Sequence, residues 1–416
     1  MSPAVSESCA VAAGTESARG GLGQVEAMPH APVGQVRVAQ IVTRLSAGAG
    51  GITLRGALAL DPDRYSTTIF AAEGGALAAR AEEGGVRVVP LHHMAIGRGI
   101  YPWIDAPGYR ELVSHLAGGN FDLVHTHSAK SGALGRLAAR RVGVQAVVHS
   151  FHGFPFHEFQ SRLVRGGLLA IERRLARITD YFLTDGTVVA AEAVRLRIAS
   201  PDRIRAITSP IDEGIPSVSE ATRARARRQL GIPREAKVVG TAARLETQKS
   251  PADLVKAVAA LARPDVYMVW IGDGPLRAET ERLIARKGLT DRCLLLGNRD
   301  DVATLLPGFD VFAMSSLYEG LPCAVVEAMT SGVPVVATAV NSVPEIVISG
   351  KTGLVARPRD PASLGRALAY LLDHPDEGAR MAAAARVHLG DRFRPEVLGQ
   401  DLTEAYEIAL RHDGRG

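Results

Sequence analysis

The sequence predicts an α/β fold made of two parallel-sheet domains that face each other across a cleft. Three observations predict it. From Val36 onward, short β-branched runs alternate with longer amphipathic stretches, the pattern of βα units and a parallel sheet. That alternation pauses once, over SPIDEGIPSVSE (209–220), whose prolines, glycine and serines make a linker composition. Finally, 416 residues are too many for one ordinary core.

The first 34 residues are rich in Ala, Gly, Ser and Pro and lack the charged start and apolar run of a signal peptide. They read as a disordered leader outside the fold. VRVAQIV (36–42) reads as the first strand, followed by a glycine-rich turn and a helix through Leu60. STTIFAA, VRVVPLH, FDLVHTH, QAVVHSF and DYFLTD continue as strands, separated by helical stretches such as SGALGRLAARR and VRGGLLAIERRLAR. This series makes a first domain over 35–208, and right-handed crossovers put helices on both faces of its sheet. After the linker, ATRARARRQLG reads as a helix whose arginines form a solvated face. KVVGTAA (237–243) then opens a second series, continued by VYMVWIG, CLLLG, DVFAMSS, VPVVAT and GLVA, in a second domain over 221–390. Polar–apolar helices run from about Asp360 to Arg411, and the segment 391–416 is expected to pack back toward the first domain.

The bulk numbers exclude several classes. Hydrophobic residues make up 46% and charged residues 22%, a globular balance. The net charge of +4 comes from scattered basic residues, which argues against a nucleic-acid binder yet permits an anionic substrate in a local cationic pocket. Cys9, Cys293 and Cys323 are too far apart for a disulfide framework or a zinc site, so a reducing, cytoplasmic setting is expected. No run of about 18 apolar residues appears. The stretch 164–177 carries Arg165, Arg173, Arg174 and Arg177 beside an apolar stripe. It reads as a core helix with a charged outer face, or as weak peripheral contact with anionic lipid.

Ligands of open α/β sheets meet the carboxyl ends of the strands, so the strand-end loops hold the candidate chemistry. In SSLYEGLPCAVVEAMTSGVPVVAT (315–338), Glu319 and Gly320 occupy a turn and a helix starts near Pro322. Proline suits a first helical turn, and the open N–H groups there favour an anion. Glu327 follows Glu319 by eight residues, a rise of about 12 Å in helix. That is wide for the two carboxyls of a glycoside hydrolase and suits two hydroxyl-rich parts of one ligand; a helix-start acid and a surface acid would look the same. In GTAARLETQKS (240–250), Arg244 and Lys249 sit in the loop after a strand. Together they can clamp a diphosphate, although a loop Arg and Lys are often plain surface.

Gly272-Asp273-Gly274-Pro275 makes a tight strand-to-helix turn in which Asp273 reads as an N-terminal cap. Gly48, Gly50 and Gly51 approach a dinucleotide fingerprint, but its third glycine is Thr53. Glu73, near the place of a ribose-binding acid, is the residual argument for nicotinamide, and a backbone pocket for phosphate or sugar at Gly50 and Gly51 fits better. Gly350-Lys351-Thr352 fails as a phosphate loop because Glu345 replaces the required glycine. His125, His127, His149 and His152 end two neighbouring strands. A metal site there lacks an acidic or cysteine partner, so the first three read as buried structural groups and His152 as the cleft residue.

Taken together, these residues resemble glycosyltransferase family 4, the retaining GT-B enzymes, whose two Rossmann-like domains face across an interdomain cleft. The E-x7-E element at Glu319 and Glu327, the VPEIV, GKTGLVA and DPASL segments, GTAARLETQKS and IGDGPLR carry the resemblance, and GAGG, FDLVHTHSAKSGALGRLAARR and HGF extend it into the first half. Two places depart from the family pattern: Ser209-Pro210-Ile211 stands where Asn-Gly is usual, and Asn341 and Ser342 replace glycines before VPE. The resemblance implies a nucleoside diphosphate sugar donor, most commonly UDP-linked, in the C-terminal domain. Glu327 would bind the ribose, and Glu319 the hydroxyls of the donor sugar. Arg244 and Lys249 would neutralise the leaving diphosphate, with help from amides around Gly320 to Cys323, and Gly320, Leu321, Pro322 and Cys323 would line the donor site. His152 would lie near the transferred sugar and Gly50 and Gly51 near the phosphate, with Gly272 and Asn298 lining the donor pocket. No metal or other cofactor is expected, and the N-terminal domain would hold the acceptor, a glycan, lipid-linked sugar or secondary metabolite. A GT-B sugar phosphorylase or a sugar-nucleotide epimerase would share this pocket. A non-enzymatic binder would be expected to have lost Glu319 or Arg244.

Overall fold

The computed structural model describes residues 34–411 apart from 47, 73–74, 95–101, 158 and 212–213. The leader up to residue 33, Glu73, and the aspartate at 212 therefore lie outside the described residues. Thirteen named strands form two sheets, and every pairing within them is parallel. The first sheet comprises β1 (Val36–Val42), β2 (Tyr65–Ala71), β3 (Arg87–Pro90), β4 (Leu123–His127), β5 (Ala146–Phe151), β6 (Tyr181–Thr184) and β7 (Ile204–Ala206), in the order β3-β2-β1-β4-β5-β6-β7. The second comprises β8 (Lys237–Ala242), β9 (Val266–Ile271), β10 (Cys293–Leu295), β11 (Val311–Met314), β12 (Val335–Thr338) and β13 (Leu354–Ala356), in the order β10-β9-β8-β11-β12-β13.

Both orders reverse beside their first strand, between β1 and β4 and again between β8 and β11. Crossovers leave in opposite directions there and open a crevice at the strand carboxyl ends. The strands read as continuous apolar runs because helices bury both faces. Val238, Val269, Phe312 and Val335 belong to one core cluster of the second sheet, and Val239, Met268, Trp270 and Val336 to another.

The helix Glu220–Leu230 begins with a reciprocal Ser219–Thr222 cap and ends at Gly231, whose φ of 65° suits glycine. Its arginines are not all solvated, contrary to the expected charged face. Arg227 is buried and donates to Asp310 Oδ2 at 2.7 Å, and Arg223 meets Asp310 Oδ1 at 2.6 Å. Asp310 also accepts the N–H of Val238, so the arginines neutralise a carboxylate that orients the start of β8. The helix Arg162–Leu175 differs from the core reading in the other direction. Leu163 is 89% exposed, Val164 and Ile171 are also exposed, and the buried pair Arg136–Glu172 with Leu175 pins it down.

The helix Pro395–Arg411 packs on the first sheet. Leu398, Leu402 and Tyr406 join the core around Val38, Leu123 and Val148, and Arg64–Glu407 and Arg205–Asp401 flank that contact. No helix among the described residues is long and apolar enough to cross a membrane.

Candidate active site

The strand-end loops after β8 and β11 are tied together. Ser315 Oγ donates to the carbonyls of Lys249 (2.8 Å) and Ser250 (3.1 Å), Leu317 N–H donates to Gln248 O (2.7 Å), and Gln248 Nε2 donates to Tyr318 O (2.9 Å). This network brings the Lys249 ammonium to 2.5 Å from Glu319 Oε1. The Glu319 amide donates to Asn341 Oδ1 at 2.9 Å, so Glu319 is held at side chain and main chain. Asn341 has a φ of 43°, a left-handed conformation that asparagine tolerates, which is how it stands in for a glycine while adding a hydrogen bond. Arg244 is 53% exposed at the side chain and lies 3.5 Å from Glu246, within reach of a ligand.

The helix Cys323–Ser331 leaves this turn, with Pro322 at the position just before its first residue. Gly320, Leu321 and Pro322 are buried, and Leu321 packs into the core, so a ligand would meet its main chain. Cys323 and Glu327, four residues apart, share a helix face. Burial pushes the Cys323 thiol up to about 11; Arg55 and Lys249 draw it down, and Glu327 and Asp185 push it up. Charges from both halves of the chain thus converge on one helix start.

From the first half, the helix Ala49–Ala59 carries Gly50 and Gly51 in its first turn. A Cβ at Gly50 would lie 2.5 Å from the Arg44 carbonyl oxygen, so loop packing there requires glycine. Arg55 reaches across to within 3.8 Å of Cys323 Sγ. The loops after β5 and β6 also meet the Glu319 turn: a Cβ at Gly320 would lie 3.2 Å from the His152 carbonyl carbon and 2.7 Å from Asp185 Oδ2. His157 stacks on Tyr318 at 4.3 Å between ring centres, and Arg359 lies over Phe159.

His152 Nδ1 lies 3.0 Å from Asp185 Oδ1, and its Nε2 lies 3.1 Å from His127 Nδ1. His125 is bonded at both ring nitrogens, to Tyr406 and Ser150, and burial lowers it to about 3. Burial also holds His127 and His149 well below the usual histidine range. Among the described residues, no group of three or more His, Cys, Asp or Glu is arranged to hold a metal ion.

Gly272 and Asn298 lie beside the Arg244 loop. A Cβ at Gly272 would come 2.2 Å from Ala243 O, and one at Gly274 2.4 Å from Leu245 O. These glycines let two protein loops approach each other. Asn298 Oδ1 accepts the Asp273 N–H at 3.2 Å. Asp273 is not the expected helix cap. The helix Arg277–Arg286 starts four residues later, and Asp273 Oδ1 accepts the neighbouring Gly274 N–H at 2.7 Å, stabilising the turn itself. The sequence reading missed Arg55, Asp185 and Gln248. Asp185 ends DYFLTD, and its position at a strand carboxyl end was the available signal.

Residues 222–388 match the family described as glycosyl transferases group 1, and residues 47–209 match the glycosyl transferase 4-like domain. The chain is 31% identical over 325 residues to a D-inositol 3-phosphate glycosyltransferase of Streptomyces scabiei, covering 71% of this chain and 70% of that one. It belongs to the family 4 glycosyltransferases of the GT-B fold. This glycosyltransferase is also 32% identical over 289 residues to the 2-deoxystreptamine glucosyltransferase of Streptomyces kanamyceticus (65% of this chain, 73% of that one). To the UDP-Gal:alpha-D-GlcNAc-diphosphoundecaprenol alpha-1,3-galactosyltransferase of Escherichia coli it is 30% identical over 260 residues (61% and 67%). In fold, the glycosyltransferase resembles Anabaena HepE, solved with UDP and glucose, at a TM-score of 0.77 and 22% identity over 90% of this chain and all of that one.

Proposed function

We propose that the enzyme transfers a sugar from a UDP-sugar to a hydroxyl acceptor with retention of anomeric configuration and without a metal ion. The observation that carries this reading is the convergence of Arg244, Lys249, Glu319 and the start of the helix Cys323–Ser331 opposite Gly50, Gly51 and His152. In it, Glu327 binds the ribose, Glu319 the donor sugar, and Arg244 and Lys249 stabilise the departing diphosphate electrostatically. Gly272 and Asn298 form the far wall of the donor pocket, and the amides of Gly320, Leu321 and Cys323 add to the phosphate site. The acceptor, a glycan, lipid-linked sugar or secondary metabolite, occupies the N-terminal domain.

A UDP-linked donor is supported by the name of the Escherichia coli relative and by the UDP bound in the structural neighbour. Two free thiols, Cys293 and Cys323, fit a cytoplasmic setting. The exposed Leu163 and Val164 among the arginines of their helix fit weak contact with an anionic membrane face.

The test is a panel of nucleotide sugars. A true donor at a hundred times its dissociation constant should stabilise the fold by about 2.7 kcal/mol. Transfer should persist in excess EDTA, and the product's anomeric proton coupling should match the donor's. No shift with any nucleotide sugar at millimolar levels would sink the donor assignment. Inversion would sink the retaining mechanism, and loss restored by manganese or magnesium would sink metal independence.

A further inference from the structure

We propose that Asp185 is a positioning residue of the transfer reaction, holding His152 against the Glu319–Gly320 turn. The proposal rests on the reading of the cleft as a nucleotide-sugar site. Asp185 follows the last residue of β6, and His152 follows the last residue of the adjacent β5, so parallel pairing delivers both side chains to the same sheet edge. They are 7% and 9% exposed, and His152 Nδ1 lies 3.0 Å from one carboxylate oxygen of Asp185 and 3.2 Å from the other.

A carboxylate only accepts, so the imidazole proton of His152 sits on Nδ1. In the neutral ring, Nε2 then accepts, and its neighbour at 3.1 Å is Nδ1 of His127. Burial keeps His127 neutral, so His127 donates from Nδ1 and its own buried Nε2 is left as an acceptor; that atom has no partner among the described residues. The two rings are parallel, with an interplanar angle of 5° and centres 5.3 Å apart, so the nitrogen–nitrogen contact runs edge to edge. His152 is therefore gripped from both sides, and one proton arrangement satisfies both of its ring nitrogens, toward Asp185 and toward His127.

The grip bears on the sugar site. Gly320 adjoins Glu319, and its missing Cβ is what allows Asp185 Oδ2 and the His152–Gly153 main chain to approach; a Cβ there would meet them at 2.7, 3.2 and 3.4 Å. Asp185 thus touches the far side of the turn that presents Glu319. A residue that fixes both the tautomer and the position of a sugar-contacting histidine acts on the transition state, where placement matters most.

The experiment combines kinetics with nitrogen NMR. In Asp185→Asn, which keeps the shape and loses the charge, turnover should fall on the order of ten- to a hundredfold, while the donor KM stays within about twofold. In a cycle with His152→Ala, the double variant should lose no more than His152→Ala alone, because Asp185 acts through His152. On wild-type enzyme labelled with ¹⁵N-histidine, His152 should show a protonated Nδ1. An Nε2-protonated His152, an Asp185→Asn variant with wild-type turnover, or losses that multiply in the double variant would each overturn the proposal. If wild-type enzyme binds no nucleotide sugar, the donor reading fails instead, and the NMR result still judges the tautomer.

Discussion

Lys249 faces two demands. Its ammonium lies 2.5 Å from Glu319, so in the proposed reaction it fixes the acid assigned to the donor sugar as well as offering charge to the leaving group. Arg244, half exposed, has no comparable tie. As the glycosidic bond breaks, negative charge grows on the diphosphate, and cations placed there act more strongly in the transition state than in the ground state. Arg244→Ala and Lys249→Ala should each lower turnover by about a hundred- to a thousandfold, equivalent to about 2.7–4 kcal/mol. The double variant should lose less than the product of the two, since both serve one diphosphate. Lys249→Ala should also raise the donor KM more than Arg244→Ala does, because Glu319 loses its cationic partner and keeps only the longer contact from Gln248. A cycle on turnover at saturating donor, with KM measured beside it, checks all three statements. Near-normal turnover in both single variants would reduce the pair to ordinary surface.

The adjacent strands β4 and β5 carry His125, His127 and His149 into the interior, where burial holds them neutral. Each has a folded pKa below its unfolded value of about 6.5, so the unfolded chain binds more protons below that value and stability falls as pH drops. Their contribution is intact above about pH 6.5 and declines toward the folded values, by up to about 1.4 kcal/mol per histidine for each pH unit. Urea unfolding at pH 7.5 and 5.5 should show this loss, and His125→Asn should reduce it. A stability that does not change between the two pH values would mean that these rings are charged in the fold.

Elements of this kind were legible in the sequence because their apolar runs are long. β7 was not, since its three residues, Ile204–Ala206, form no run at all. Within the site, Glu319, Glu327, Arg244 and Lys249 stood out because each lies inside a local motif. Arg55 and Asp185 did not, because what gives them meaning is a neighbour from a distant segment. Asp273 was misread for the opposite reason: an acid before a helix looks like a cap, and only the backbone path shows that it serves the turn. The arginines of the helix Glu220–Leu230 looked solvated because their partner, Asp310, lies more than eighty residues away.

At the scale of the whole molecule, the halves are joined by contacts that any rotation must break. The helix Thr187–Arg195 begins after Gly186, which offers no side chain to cap it. Glu345 of the other half supplies the cap, its carboxylate accepting from Thr187 N–H at 3.1 Å and Val188 N–H at 2.9 Å. Losing such a cap costs about 1 kcal/mol, which would shift a hinge equilibrium about fivefold. Glu345→Ala should therefore enlarge the radius of gyration in small-angle scattering and raise the donor KM severalfold. Unchanged scattering and KM would show that the remaining contacts hold the halves by themselves. The His157–Tyr318 stack has a consequence for timing. It sits one residue from Glu319 and joins a loop of the first half to a turn of the second, so any motion that separates the halves there must part these rings. A joint of this kind ties how long a bound molecule dwells between the halves to how readily those rings part, as lid and domain opening does in many enzymes.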